Sequence, residues 1–326
     1  MERIPLSNAT FEGDNNAYLF EGPETVLVDT GDWTAATREQ LAAGLDRFGV
    51  EFGNVDRVLL THWHPDHAGL AGDIQAAGGA PVHVHAADAA LVAGRDEARD
   101  GLRAAMERCF ETWGMPEPKR ATLRETLPDP AVMGSVPDVT TFEDGASFAV
   151  NGERLDVVHA PGHAAGMCLF ETGDGAILSG DALLPEYTPN VGGADVRVEE
   201  ALAKYLRTLD RIADAGYRRA WPGHRDPIDN PAARAEHIAE HHETRAWRVL
   251  DALRRRGPCD AWTVSADLFG ALDGIHILHG PGEAAAHLEH LERDGAVVRS
   301  AREYRLADGT AGRLDRRDAG RWPLER

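Results

Sequence analysis

One stretch constrains this chain more than any other: Thr61-His62-Trp63-His64-Pro65-Asp66-His67-Ala68-Gly69. It follows directly on the apolar run Arg57-Val58-Leu59-Leu60, which reads as a strand. Three imidazoles and a carboxylate within six residues are hard to explain as packing or as a histidine-rich surface loop. They are donors that suit zinc, and that suit iron or manganese less selectively. His62 and His64 alternate by two, so an extended backbone can aim both at one point. Asp66 and His67 come at the turn into the next helix and can serve a second point nearby.

Three further apolar runs lead to a single metal-capable residue. Leu155-Asp156-Val157-Val158 precedes Ala160-Pro161-Gly162-His163, and Ala176-Ile177-Leu178-Ser179 precedes Gly180-Asp181. Arg218-Arg219-Ala220-Trp221 precedes Pro222-Gly223-His224. Functional residues of layered α/β folds gather on loops after strand ends, and four such units in one chain reinforce one another. Further strand signals lie at 25–28 and 82–85, with Ala-rich helical spacing at 34–48, 68–78 and 197–215. The predicted class is a layered α/β domain. Residues 86–127 read as a helical insertion, amphipathic around Leu102, Met106, Phe110 and Trp113 and ended by Pro128, Pro130 and Pro137. It is either a cover for a cleft or a plain packing helix pair.

The texture changes after Pro231. A helical run from Ala232 through Arg256 breaks at Gly257-Pro258. A second helix is expected over 263–272 after a Ser/Thr-type cap, a third over 282–294, and then strand-like pieces at 296–298 and 303–306. Helix, helix, helix, hairpin is the order of a winged-helix module. The expected organisation is a catalytic domain over 1–231, then a linker helix and winged-helix-like domain over 232–326, which a length of 326 residues accommodates.

These motifs resemble the metallo-β-lactamase superfamily, whose hallmark is HxHxDH followed by a distant His, Asp and His. The resemblance covers about residues 8–230 and implies an αββα sandwich with metals at one edge between two sheets. Position by position, it implies one metal held by His62, His64 and His163, a second by Asp66, His67 and His224, and Asp181 bridging both. Two Zn2+ are the expected cofactors, with iron or manganese as alternatives. Asp29, in Leu27-Val28-Asp29-Thr30-Gly31, matches the element that supports the metal loops. The second motif position is His64 rather than Glu, the hydrolase pattern and not that of the oxygen-reducing di-iron branch. Residues 283–297 resemble the winged-helix appendage of the β-lactamase-like 2 branch, which includes a single-strand-specific endoribonuclease and hydrolases of unassigned substrate. The chain departs from that ribonuclease at Thr188-Pro189-Asn190 and in the 86–127 insertion. Glyoxalase-II-type enzymes share the metal set, but their glutathione-binding C-terminal region is not recognisable.

The expected reaction follows from two metals close together. A water bridging them loses its proton near neutral pH, since a single zinc already brings bound water to a pKa of about 7. The resulting hydroxide would attack an ester or thioester of a small molecule, with Asp66 orienting the nucleophile and accepting its proton. No serine lies in a GxSxG elbow, and no Walker-type phosphate loop is present. Tyr187 and Asn190, in a loop just after Asp181, are candidate donors to substrate, and Trp33 and Trp63 are candidate pocket walls. A turn or packing role is the alternative for each. His83, His85, His159 and the histidines beyond residue 231 receive no chemistry.

Charge bears on partners. Acidic residues number 54 against 34 basic, a net charge of −20, and residues 1–231 hold 38 of the acids and 19 of the bases. Such acidity opposes binding to nucleic acid and anionic membrane. Within the tail, Glu283, Glu289, Glu292 and Asp294 would repel phosphates, although 299–326 carries eight arginines against five acids. The tail therefore reads as a packing, homodimerisation or cleft-edging element. The competing functions are a single-strand-specific endoribonuclease and a non-enzymatic winged-helix nucleic-acid-binding regulator. Lys119 and Lys204 are the only lysines. Acid-rich, lysine-poor surfaces suit concentrated salt, and a GC-rich genome also favours Arg over Lys. No run of about 20 apolar residues occurs, no secretory leader is visible, and three scattered cysteines fit a cytoplasmic location.

Overall fold

The computed structural model describes residues 1–8, 13–126, 134–316 and Leu324. Strands β1 (Glu2–Leu6), β2 (Asn15–Phe20) and β3 (Val26–Val28) lead into α1 (Ala35–Asp46), whose cap Thr34 accepts the Thr37 N–H. β4 (Arg57–Leu59) is followed by α2 (Pro65–Ala68) and α3 (Ala71–Gly78). After β5 (Val82–His85) the insertion forms α4 (Ala86–Val92), α5 (Asp96–Trp113) and α6 (Glu117–Thr126), and β6 (Val139–Phe142) completes a six-stranded sheet ordered β1-β2-β3-β4-β5-β6. A second sheet, ordered β11-β10-β9-β8-β7, contains β7 (Ser147–Val150), β8 (Glu153–His159), β9 (Cys168–Thr172), β10 (Ala176–Gly180) and β11 (Arg219–Pro222). Helix α7 (Ala201–Asp214) makes the crossover between the parallel strands β10 and β11.

Side-chain alternation makes four layers of these elements. Tyr18, Phe20, Val28 and Leu59 of the first sheet pack with Leu155, Val157, Phe170 and Leu178 of the second. Their neighbours Leu19, Leu27 and Val58 turn outward onto Leu41, Leu45 and Ile74 of α1 and α3. Val158, Leu169 and Ile177 turn the other way, onto Leu202, Leu206 and Leu209 of α7. This is the αββα arrangement that the family resemblance implied. Beyond the sequence signals the structure adds β1, β2, β6, β7 and β9. β1 is an edge strand, the place in a sheet where a proline such as Pro5 is tolerated.

The C-terminal part follows the expected order: α8 (Pro231–Arg256), α9 (Ala261–Phe269), α10 (His276–Arg293), β12 (Val297–Ser300), β13 (Glu303–Leu306) and α11 (Thr310–Arg316). Two local expectations differ. The cap of α9 is Asp260, which accepts from Thr263 N–H. Helix α10 starts at residue 276 rather than 282 and runs through Pro281, although proline gives up one helical hydrogen bond. Packing explains the earlier start: Gly280 lies against Leu272, and Gly282 against Gly192 and Gly193. One apolar cluster runs from the second sheet through α7 and α8 to Leu288 and Leu291 of α10, and it includes Phe110, Trp113 and Leu123 of the insertion. Helices α5 and α6 thus pack on the C-terminal helices. Leu91, Val92 and Leu102 also line a cleft together with Trp63 and Pro65. Pro128 and Pro130 lie outside the described residues.

Candidate metal centre

Both sheets deliver side chains to one edge. The loop after β4 carries His62 and His64, and it is tied to the second sheet by Cys168 N–H donating to Thr61 O at 2.9 Å. Proline at its first turn sets the helical start of α2, which buries Asp66 and His67. His163 follows β8, Asp181 follows β10 and His224 follows β11. Asn16 N–H donates to Gly223 O (2.8 Å) and Tyr18 Oη–H to Pro222 O (2.7 Å), locking that last loop onto the first sheet.

The seven predicted residues converge. His62, His64 and His163 form one group, Asp66, His67 and His224 another, and His62, His67 and Asp181 overlap both. His64 Nδ1 lies 2.9 Å from His62 Nε2 and 3.0 Å from His163 Nε2. Asp181 Oδ2 lies 3.6 Å from His163 Nε2 and 3.3 Å from His224 Nε2, while its Oδ1 is 3.4 Å from His67 Nε2. A Cβ on Gly223 would press on Asp181 Oδ1 and come within 2.6 Å of His67 Cε1, so only glycine leaves this space open.

The outer ring nitrogens decide the tautomers. His64 Nε2–H donates to Ala194 O (3.1 Å), His163 Nδ1–H to Asn190 O (2.9 Å), His224 Nδ1–H to Gly13 O (2.9 Å) and His67 Nδ1–H to Asp29 Oδ2 (2.9 Å). Thr61 Oγ1–H is committed to Asp29 Oδ2, so it accepts from His62 Nδ1–H at 3.0 Å. Every neutral ring therefore turns a bare nitrogen inward. Burial, with the other imidazoles, holds His62 and His163 below the usual histidine range and His64 at about 3. His67 and His224 behave oppositely: burial opposes their charge, but Asp181 and Asp66 outweigh it and raise His224 to about 10. Protons there occupy the place a cation would take. His67 Nε2 and Asp181 Oδ1 are buried without a hydrogen-bond partner. Nitrogen and carboxylate donors, lone pairs inward and two orphaned atoms fit divalent metal ions.

The other predicted residues divide. Asp29, in a left-handed conformation (φ 57°), accepts from Thr61 N–H, Thr61 Oγ1–H and His67 Nδ1–H, and so orients the metal loop. Trp63 packs at 4.8 Å against the His64 ring and donates Nε1–H to Asp195 (3.2 Å). Tyr187 is exposed and covers the Arg225 guanidinium. Trp33 lies against Gly69 and Gly134 and is not gathered with the seven. The Asn190 side chain is engaged within the protein, with His279 O, Glu283 and Gly193 N–H.

Sequence reasoning missed several supporting residues. Asn15 and Asn8 donate to Asp66 Oδ2 at 3.2 and 3.4 Å. Asp88 and Asp195, both buried, share Arg197 and receive the backbone N–H groups of Trp63, Gly166 and Ala165, clamping the loops that carry His62, His64 and His163. Paired asparagines opening β2 and the Asp195-Val196-Arg197 spacing were the available signals. Neither points to a site without its distant partners.

The sequence profile of the Metallo-beta-lactamase superfamily matches residues 10–224. The chain belongs to the metallo-beta-lactamase superfamily. A metallo-beta-lactamase family protein of Thermus thermophilus is similar in structure, with a TM-score of 0.81 and 34% identity over 94% of this chain and 98% of that one. A beta-lactamase-like protein 2 homolog of Drosophila melanogaster is 26% identical over 77% of this chain and 71% of its own length. An atrochrysone carboxyl ACP thioesterase of Aspergillus fumigatus is 28% identical over 81% and 69%. The metallo-beta-lactamase profile ends at His224, whereas the Thermus likeness spans nearly the whole chain, so the two together must share more than the metallo-beta-lactamase core.

Proposed function

We propose that this chain is a two-metal hydrolase that opens an ester or thioester of a small molecule. His62, His64 and His163 would hold one metal, Asp66, His67 and His224 the other, and Asp181 would touch both. One observation carries this reading: five imidazoles whose outer nitrogens are all committed converge with two carboxylates, leaving His67 Nε2 and Asp181 Oδ1 unpartnered. Bound there, zinc, or iron or manganese, supplies Lewis acidity and a water that ionises near neutral pH.

The chain's own residues do the rest. Asn8 and Asn15 hold Asp66 by Oδ2, while Oδ1 receives no hydrogen bond from the described residues. Asp66 Oδ1 is then the atom that orients the attacking water and takes its proton. Asp29 and the carbonyls of Gly13, Asn190 and Ala194 keep the rings from turning. The similarity to a thioesterase supports the substrate class. Helix α10, which a winged-helix reader would place in a groove, is buried over most of its length, and this favours hydrolysis over nucleic-acid reading.

The test is a hydrolysis screen with thioesters, esters, lactones and labelled single-stranded RNA, on the wild type and Asp66→Ala, with metal analysis. Two metals per chain and thioester or ester turnover, lowered by about 100-fold or more in the variant, are expected. Cleavage of RNA alone, or equal inactivity of both proteins on every substrate, overturns the reading.

A further inference from the structure

Segment 190–194 joins two regions that the sequence keeps far apart. On one side its carbonyls take the outer protons of two rings: Asn190 O from His163 and Ala194 O from His64. On the other side it rests on α10 with almost no space between backbones. A Cβ on Gly192 would come within 2.6 Å of Gly282 O, and one on Gly193 within 2.7 Å of His279 Cα. The Asn190 side chain closes the joint: Nδ2–H donates to His279 O (3.2 Å) and Glu283 Oε2 (3.3 Å), while Oδ1 accepts from Gly193 N–H (3.1 Å).

Glu283 is itself held. It is 7% exposed and forms an ion pair with Arg245 of α8, which is 8% exposed. Arg245 lies over the Phe269 ring and donates to His241 Nε2 at 2.6 Å. A buried ion pair is poor value for stability, since apolar side chains of similar volume commonly serve as well or better. Its use is geometric: a carboxylate fixed at one point gives Asn190 one orientation.

We infer that α10 and Glu283, acting through Asn190, are positioning elements of the metal centre that set the orientation of His163 and His64. The C-terminal helices, outside the matched family segment, then complete one half of the site while leaving Asp66, His67 and His224 to other supports. This rests on the reading of His62, His64 and His163 as metal ligands.

Cobalt(II) titration of the metal-free full-length protein, followed by visible absorption and by bound-metal analysis, tests it. Wild type is expected to bind two ions. Asn190→Ala keeps the backbone carbonyl but removes the clamp; it should bind one ion normally and the other about 10–100-fold more weakly. Asn190→Asp sets a carboxylate against Glu283 and should be weaker still. Adding Glu283→Gln, whose amide donates to the new carboxylate, should recover part of that loss, because His279 O still faces the carboxylate and Arg245 loses its partner. If Asn190→Ala does not fold, the single and double variants carrying Asn190→Asp decide alone. Equal binding of both ions by wild type and Asn190→Ala overturns the inference and leaves the metal reading standing. So does equal weakening of both ions in every variant, the double one included. A wild type that binds no metal overturns the metal reading itself, and this inference with it.

Discussion

At the scale of single residues, the centre depends as much on what is absent as on what is present. Gly223 has no side chain, and the space beside Asp181 Oδ1 and His67 Cε1 is open because of it. Its φ lies outside the left-handed range, so alanine is compatible with the backbone. Gly223→Ala should therefore fold, yet bind zinc about tenfold or more weakly because the new methyl displaces two of the proposed ligands. A chelator-competition assay measures this. Wild-type affinity would show that the cradle does not lie where these seven side chains place it. Asp29 makes the complementary point: one carboxylate in a strained conformation organises both the Thr61 turn and the His67 ring.

At the scale of elements, α8 and α10 bury a histidine pair between them. His242 Nδ1 and His287 Nε2 lie 3.3 Å apart, and His287 Nδ1–H donates to Glu283 O. Burial, with Arg245, His241 and His287 facing His242 and Arg245, His241 and His290 near His287, holds both rings well below the usual histidine range. Both are neutral in the fold and would take up protons on unfolding. Their contribution is complete above about pH 6.5 and is lost as pH falls below it, by up to about 1.4 kcal/mol per pH unit for each ring. Urea unfolding of the metal-free protein should show stability falling from pH 7 to pH 5, with a shallower fall in His242→Gln. Parallel curves would mean that His242 titrates as freely in the fold as outside it.

At the scale of the whole molecule, the net charge of −20 is a term in stability and solubility. Self-repulsion acts over the Debye length, which shrinks from about 10 Å at 0.1 M salt to about 3 Å at 1 M. Buried networks such as Asp88, Asp195 and Arg197 are screened little, while the surface acids are screened strongly. The melting temperature should therefore rise as sodium chloride is raised from 0.1 to 1 M, as a calorimetric scan would record. A falling melting temperature would remove the argument for salt adaptation. No helix among the described residues is long and apolar enough to cross a membrane.

By itself the sequence determined the layered α/β class, most of the central strands and all seven converging side chains. Those signals are local: periodicity, turn residues and metal-capable donors a few positions beyond a strand end. The start of α10, strands β1, β2, β6, β7 and β9 and the supports of the site were decided only in three dimensions. A helix through Pro281 is set by backbone packing against residues 192 and 193, and Asn190 is a clamp because Glu283 lies 93 positions away. A hydrogen bond between distant segments leaves no period in the chain. Donors could be read from their residue types, whereas the groups that aim them are ordinary side chains until the fold brings their partners within hydrogen-bond reach.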